Sequence, residues 1–207
     1  MIKNYFKIAL RNLIKYKGYS IINILGLSIG LASAILILFY VAEELSYESY
    51  HEKADQIYRI SLNGKVAGQD LNIASSCVPI GEALVNDYPE VINAVKLDFS
   101  DGIILKYEDR SFIENRIMYA DSSYAKVFTV GFIDGDQESF LSHPNTIAIT
   151  RSAAKKYFGE ENPLGKMLEF GEEQTLFEVT HLIENAPHNS HFHYDILISL
   201  SSHWVYK

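Results

Sequence analysis

Residues 21–42 read IINILGLSIGLASAILILFYVA, twenty-two consecutive positions without a charge, with Asn23 the strongest polar group. About 20 apolar residues suffice for one helix to cross the ~30 Å hydrocarbon core of a bilayer. Phe39 and Tyr40 stand near the far end of the run, where aromatic rings favour the interface. The flanks differ in charge. Lys3, Lys7, Arg11, Lys15 and Lys17 precede the run, and Glu43 and Glu44 follow it. The positive-inside rule then places the N-terminus in the cytoplasm and the remainder outside. A cleaved signal peptide is the competing reading, but its apolar core is shorter, at about 7–15 residues. The small-x-small tripeptide Ala32-Ser33-Ala34 lies in mid-run, so a retained anchor is expected.

The residues before the span repeat a positive charge every four positions at Lys3, Lys7, Arg11 and Lys15, with Ile2, Phe6, Leu10 and Leu13 on another face. This predicts a basic amphipathic helix over 1–18 that lies along the inner membrane surface, with Gly18 at the turn into the span. Within the span, Gly26, Gly30 and Ala34 share one stripe, where small residues let a second helix approach closely.

Charge divides the chain. Residues 1–42 carry five positive charges and no acid, so a net charge of -8 leaves -13 on the rest. So acidic an outer part is not built to bind nucleic acid, which needs a basic face. Cys77 is the single cysteine, which excludes an internal disulfide and a zinc-ligand spacing.

Beyond the span, the expected domains are a transmembrane helix over 19–43 and an extracytoplasmic domain over 44–207. Residues 44–56 read as a polar helical lead-out, on which His51 and Asp55 form a local i, i+4 pair. Ile57 to Leu62 alternates like a strand, and Asn63-Gly64 signals a hairpin turn. Pro79 opens a helix that Tyr88-Pro89 stops. Strands are predicted over 91–99, 103–107 and 111–119, followed by a short helix capped by Asp121 and ending at Phe128. Thr146 to Ile149 is a strand, Thr150 caps the next helix, and Gly159 ends it. Met167–Phe170 and Thr175–Glu184 form a hairpin around Gly171, and Tyr194–Leu200 is a last strand. The fold class is α+β, mixed and mainly antiparallel.

Candidate chemistry is sparse. Gly159 to Met167 imitates a phosphate loop, but the spacing is one residue too long, Pro163 interrupts it and Met167 replaces the Mg²⁺-binding hydroxyl. Lys166 is read there as a solvated strand start. His188, His191 and His193, with His181, Glu184 and Asp195 near in sequence, are candidate metal ligands. A hydrogen-bonded Pro187-His188-Asn189-Ser190 loop is the simpler reading. Asp134-Gly135-Asp136 reads as a turn. With no nucleophile and base in a recognisable setting, neither catalysis nor a cofactor is expected of this chain.

The stretches Phe6 to Ile14, Asn23 to Ala32, Tyr47 to His51, Asp55 to Arg59, Pro79 to Leu84, Ala154 to Gly159, Asn162 to Lys166 and Pro187 to His191, in this order and spacing, together resemble the N-terminal part of FtsX/MacB-type ABC transporter permeases. Phe6-Lys-Ile-Ala-Leu-Arg-Asn-Leu-Ile14 and Asn23 to Ala32 are similar to the family's first membrane helix. Tyr47-Glu-Ser-Tyr-His51, Asp55-Gln-Ile-Tyr-Arg59, Pro79 to Leu84 and Tyr88 to Val91 are similar to its extracytoplasmic core domain. Ala154 to Gly159, Asn162 to Lys166, Phe177 to Thr180 and Pro187-His-Asn-Ser-His191 continue the likeness. His181 departs from it, since the family usually has Gly there. The resemblance implies a permease subunit, or an N-terminal part of one, in the bacterial inner membrane. Further membrane helices complete the family's permeases, and those are absent here. It also implies a separate ABC ATPase subunit, a second permease copy or other membrane helices, the lipid bilayer, and a periplasmic adaptor as partners. An FtsX-type regulator of a wall hydrolase, a stand-alone anchored sensor, and a metal-dependent enzyme built on the His188–His193 cluster are the competing expectations.

Overall fold

The computed structural model describes residues 2–203. Met1 and the last four residues of the expected outer domain lie outside the described residues, as does the side chain of Ile2. The chain divides into two units, Met1–Tyr47 and Glu48–Lys207.

The first unit holds two helices, α1 (Ile2–Lys15) and α2 (Lys17–Ser46). The break falls at Tyr16 (φ -110, ψ 55) rather than at Gly18. Leu13 has one of the last carbonyls of α1, which no later turn of that helix can satisfy, and the Ser20 hydroxyl donates to it at 3.1 Å. That bond spans the break, and Gly18 lies inside α2. No residue of α2 is buried. A 30-residue helix is about 45 Å long, and one apolar on every side with no protein cover is suited to lipid.

The second unit is built on one large mixed sheet. Its strands are β3 (Leu97–Ser100), β4 (Ile103–Tyr107), β5 (Arg110–Glu114), β6 (Ile117–Ala120), β7 (Phe132–Asp134), β8 (Thr146–Thr150), β9 (Met167–Phe170), β10 (Thr175–Ile183) and β11 (Ile196–Ser199). The order across the sheet is β3-β6-β11-β8-β10-β9-β4-β5, with β7 also on β10. β10 runs parallel to β8, and β11 parallel to β6, while the other pairings are antiparallel. The α+β class holds.

Burial explains the centre. β6 and β11 are buried at every position, as strands covered on both faces must be. On one face α5 (Arg151–Phe158) packs Ala153, Ala154, Tyr157 and Phe158 against Ile147, Ile149, Val179, Ile196 and Ile198. On the other, Tyr124, Phe140 and Leu141 cover Met118, Ala148, Ile183 and Leu197. α5 has the expected ends: Thr150 Oγ1 accepts from the Ala153 amide, and Gly159 closes it at φ +66. α5 also presents Tyr157 and Lys156 to the buried carboxylate of Glu114, with Lys156 Nζ at 2.6 Å. Burial, then Glu114 itself, push the Tyr157 phenol upward.

Other expectations are corrected. Residues 44–56 are not one helix: α2 stops at Ser46, turns follow, and only Ala54–Gln56 forms a single 3₁₀ turn. The first hairpin pairs β1 (Leu62–Val66) with β2 (Gln69–Ile73) and turns at Ala67-Gly68, with φ +52 and +84, so Asn63 and Gly64 lie in a strand. This register sets Leu62 opposite Ile73, a cross-strand apolar pair that a turn at 63–64 would lose. The predicted strand 91–99 shrinks to β3. The predicted strand 111–119 is two strands on different parts of the sheet. Asn115 interrupts it by accepting from the Gly102 amide at 3.0 Å. Asp121 does not cap α4 (Tyr124–Val127). It holds the preceding turn through the Ser123 amide and reaches back to the Lys96 amide, both at 2.9 Å. α3 (Ile80–Asp87) is as expected.

Candidate functional site at the start of the outer domain

Two residues after α2 ends, Glu48 takes a left-handed backbone (φ +58), which a non-glycine residue adopts only when its surroundings hold it there. Its surroundings do. The Glu48 amide donates to the Asn189 carbonyl at 3.0 Å. Its Oε1 accepts from the His191 amide at 2.5 Å and lies 3.0 Å from His191 Nδ1. Its Oε2 lies 2.8 Å from His51 Nε2, close but bent away from good hydrogen-bond alignment.

The next residues continue the attachment. Tyr50 donates to the buried Ser190 hydroxyl at 2.9 Å. Burial pushes the Tyr50 phenol up to about 12, with the Glu48 carboxylate adding to it and Ser190 opposing. His51 is only 4% exposed, and its ring lies between Tyr50 and Phe128, with centroids 4.0 and 5.1 Å away. His51 Nδ1 accepts from the Thr129 amide at 3.0 Å. Burial holds the His51 imidazolium below its ordinary range, and the nearby Glu48 carboxylate offsets part of that. The Glu52 amide donates to Thr129 Oγ1 at 2.9 Å, and Lys53 Nζ to the Lys126 carbonyl at 2.6 Å. Residues 48–53 therefore bind two separate segments, 124–129 and 187–192.

The sequence reading missed this site. Its pieces, Tyr47–His51 and Pro187–His191, were both legible as motifs, but no local periodicity says that they meet. The His51–Asp55 pair does not form as read, because 47–53 are turns and the i, i+4 geometry of a helix is absent. Among the described residues no group of three or more His, Cys, Asp or Glu side chains is arranged to hold a metal ion. His191 engages Glu48, His188 and His193 are exposed, and His181 lies apart. The His181 ring is buried, with Nε2 2.7 Å from the Asp136 carbonyl and Nδ1 2.9 Å from Thr180 Oγ1. Lys166 is not simply solvated, since it pairs with Glu161 and donates to the Tyr107 hydroxyl at 3.1 Å. Lys3, Lys7, Arg11, Lys15 and Lys17 are exposed in the first unit. Gly26, Gly30 and Ala34 are exposed on α2, and a Cβ on either glycine would meet open space.

The family described as MacB-like periplasmic core domain matches residues 20–206. No curated protein matches the chain. A solved domain of a permease protein from Porphyromonas gingivalis is 23% identical with a TM-score of 0.57, covering 66% of this chain and 58% of its own. That likeness bears on the fold. The periplasmic region of MacB from Actinobacillus actinomycetemcomitans (22% identity, TM-score 0.41) aligns over 52% of this chain and 48% of its own. The extracellular domain of the noncanonic ABC-type transporter YknZ from Gram-positive bacteria (22%, TM-score 0.38) aligns over 52% of each chain. The chain thus spans less than two thirds of the length of these solved domains. By the family match over nearly its whole length, the chain belongs to the MacB-like periplasmic core domain family, the extracytoplasmic domain of ABC-type transporter permeases.

Proposed function

We propose that this chain is a membrane-anchored permease subunit, or the N-terminal part of one, in an ABC-type complex that passes motion from a cytoplasmic ATPase to an extracytoplasmic domain. The observation that carries the reading is the attachment of Glu48–Lys53 to two segments of that domain. A pulled helix can move a domain only if the first residues after it are fixed to that domain. No catalytic residue is needed for this work. The proposed parts are a basic inner helix (1–18), a membrane helix (19–43) and the domain from residue 44 onward, in the inner membrane with the N-terminus in the cytoplasm. Lys3, Lys7, Arg11, Lys15 and Lys17 set that orientation, and Gly26, Gly30 and Ala34 receive a helix of a second copy or of the remaining permease.

Two measurements test this. Cys77 is exposed and is the only thiol, so it reports which side of the membrane the domain occupies. A membrane-impermeant maleimide should label it in intact spheroplasts as fully as in lysed ones. Labelling only after lysis would overturn the orientation. Affinity purification of the tagged chain from its native membrane in mild detergent should recover an ATPase bearing a phosphate loop. Recovery of a wall hydrolase and no ATPase would move the protein to the regulator reading. Gly30→Leu fills the small-residue stripe and should reduce co-purification of partner helices about tenfold, equivalent to ~1.4 kcal/mol of lost helix contact. Unchanged recovery would remove the stripe from the mechanism.

A further inference from the structure

The bond between Thr129 and His51 decides a proton position. A backbone N–H can only donate, so the Nδ1 it meets at 3.0 Å must carry the lone pair. The neutral ring then holds its hydrogen on Nε2, 2.8 Å from Glu48 Oε2 though not aligned with it. The tautomer is therefore set by the main chain. It also makes His51 unsuited to bind a metal through Nε2, which would require the hydrogen on the other nitrogen.

A second proton has one place to go, Nδ1, and the Thr129 hydrogen already points there. Two donors cannot share that contact. Either the proton is refused or the ring leaves Thr129, and the ring is buried against Tyr50 and Phe128.

The groups around the ring give the response a direction. On its own segment stand Glu48 and Tyr50. On the 124–129 side stand Tyr124, next to Phe128, and Lys53, held by the Lys126 carbonyl. On the 187–194 side stand His191, across Glu48, and Tyr194. The phenols of Tyr50, Tyr124 and Tyr194 are all pushed upward by burial, away from the acid range. Acid therefore acts on this cluster through His51, where a proton on Nδ1 breaks the contact with Thr129.

We propose that His51 is an acid-released latch: uptake of a proton at Nδ1 expels the Thr129 amide and frees residues 48–53 from the 124–129 turn, while Glu48 keeps them on the 187–192 loop. The release is one-sided. The device belongs to the outer domain alone and does not depend on what the chain transports. Its sign follows from linkage. The folded His51 value lies below the ordinary 6.5, so the latch is at full strength above about pH 6.5. It weakens as pH falls from there through the lower folded value.

The test is amide hydrogen exchange on the full chain in phosphatidylcholine nanodiscs between pH 4.5 and 8, with rates corrected for intrinsic exchange. Protection at Thr129 should fall by up to about tenfold per pH unit through the His51 transition, and protection at His191 should hold. His51→Asn keeps an acceptor oxygen where Nδ1 stood and cannot titrate, so its Thr129 protection should be flat. His191→Asn should retain the drop. An equal drop in His51→Asn, or none in the unmodified chain, overturns the latch. If His51→Asn does not fold, ¹⁵N spectra of the unmodified chain decide. The Nε2–H tautomer at pH 7.5, lost together with Thr129 protection, supports it, and an Nδ1–H tautomer refutes it.

Discussion

Gly135→Ala should destabilise the outer domain by about 3 kcal/mol or more and lower its midpoint of thermal unfolding by roughly 6–12 °C. Gly135 follows β7 with φ +108, a conformation that L side chains rarely adopt. A Cβ there would stand 2.7 Å from His181 Cδ2 and 2.8 Å from the Thr180 carbonyl oxygen. Neither neighbour can give way cheaply. The His181 ring is held at both nitrogens and packs edge-on to Phe140, with centroids 5.1 Å apart. Thr180 lies at the bulge of β10, a strand paired on both sides. The double variant Gly135→Ala, His181→Gly should recover only part of the loss. It removes the ring but leaves the carbonyl contact and the backbone strain. Thermal and urea unfolding of the full chain in detergent checks both, and a change below ~1 kcal/mol for the single variant would sink the argument.

His181 also shows what kind of fact a sequence conceals. Its strand was legible, because Thr175 to Ile183 alternates and Gly171 supplies a turn at φ +72. That a histidine there fills the space above a glycine 46 positions earlier was not, since the contact depends on how β7 meets β10. The same division runs through the molecule. The long apolar helix, the Thr150 cap and the Gly159 stop rest on neighbours within one helix, and each was readable. The Ala67-Gly68 turn was misread because Asn63-Gly64 carries the stronger local signal. Pairing Leu62 with Ile73 outweighs it once β2 is present. The break at Asn115 depends on the Gly102 amide, and β7 is only three residues long, too short for a period to register. The site at Glu48 is the extreme case: its partners lie 141 to 143 positions away in sequence and need the complete sheet to reach it.

That distance makes Glu48 the sharpest test of the attachment. Glu48→Ala removes the acceptor of the His191 amide and the anion beside His51, yet keeps a non-glycine residue at φ +58. Charged hydrogen bonds contribute about 1.5–3 kcal/mol each, and Glu48 is partly open to solvent, so a loss of about 2–3 kcal/mol is expected. Glu48→Gln should cost less, because an amide oxygen can still accept from His191 while the charge beside His51 is lost. Glu48→Gly should lose the same contacts as alanine but recover about 1 kcal/mol from relief of the left-handed strain. The order Ala, Gly, Gln from most to least damaged separates contact from conformation. Exchange protection at the His191 amide should collapse in the first two and persist in the third, while maleimide labelling of Cys77 stays unchanged in all three. If alanine and glutamine variants both stay within ~0.5 kcal/mol of the parent, Glu48 does not hold the segment. The segment would then be held by the Glu52 and Lys53 bonds to the 126–129 turn.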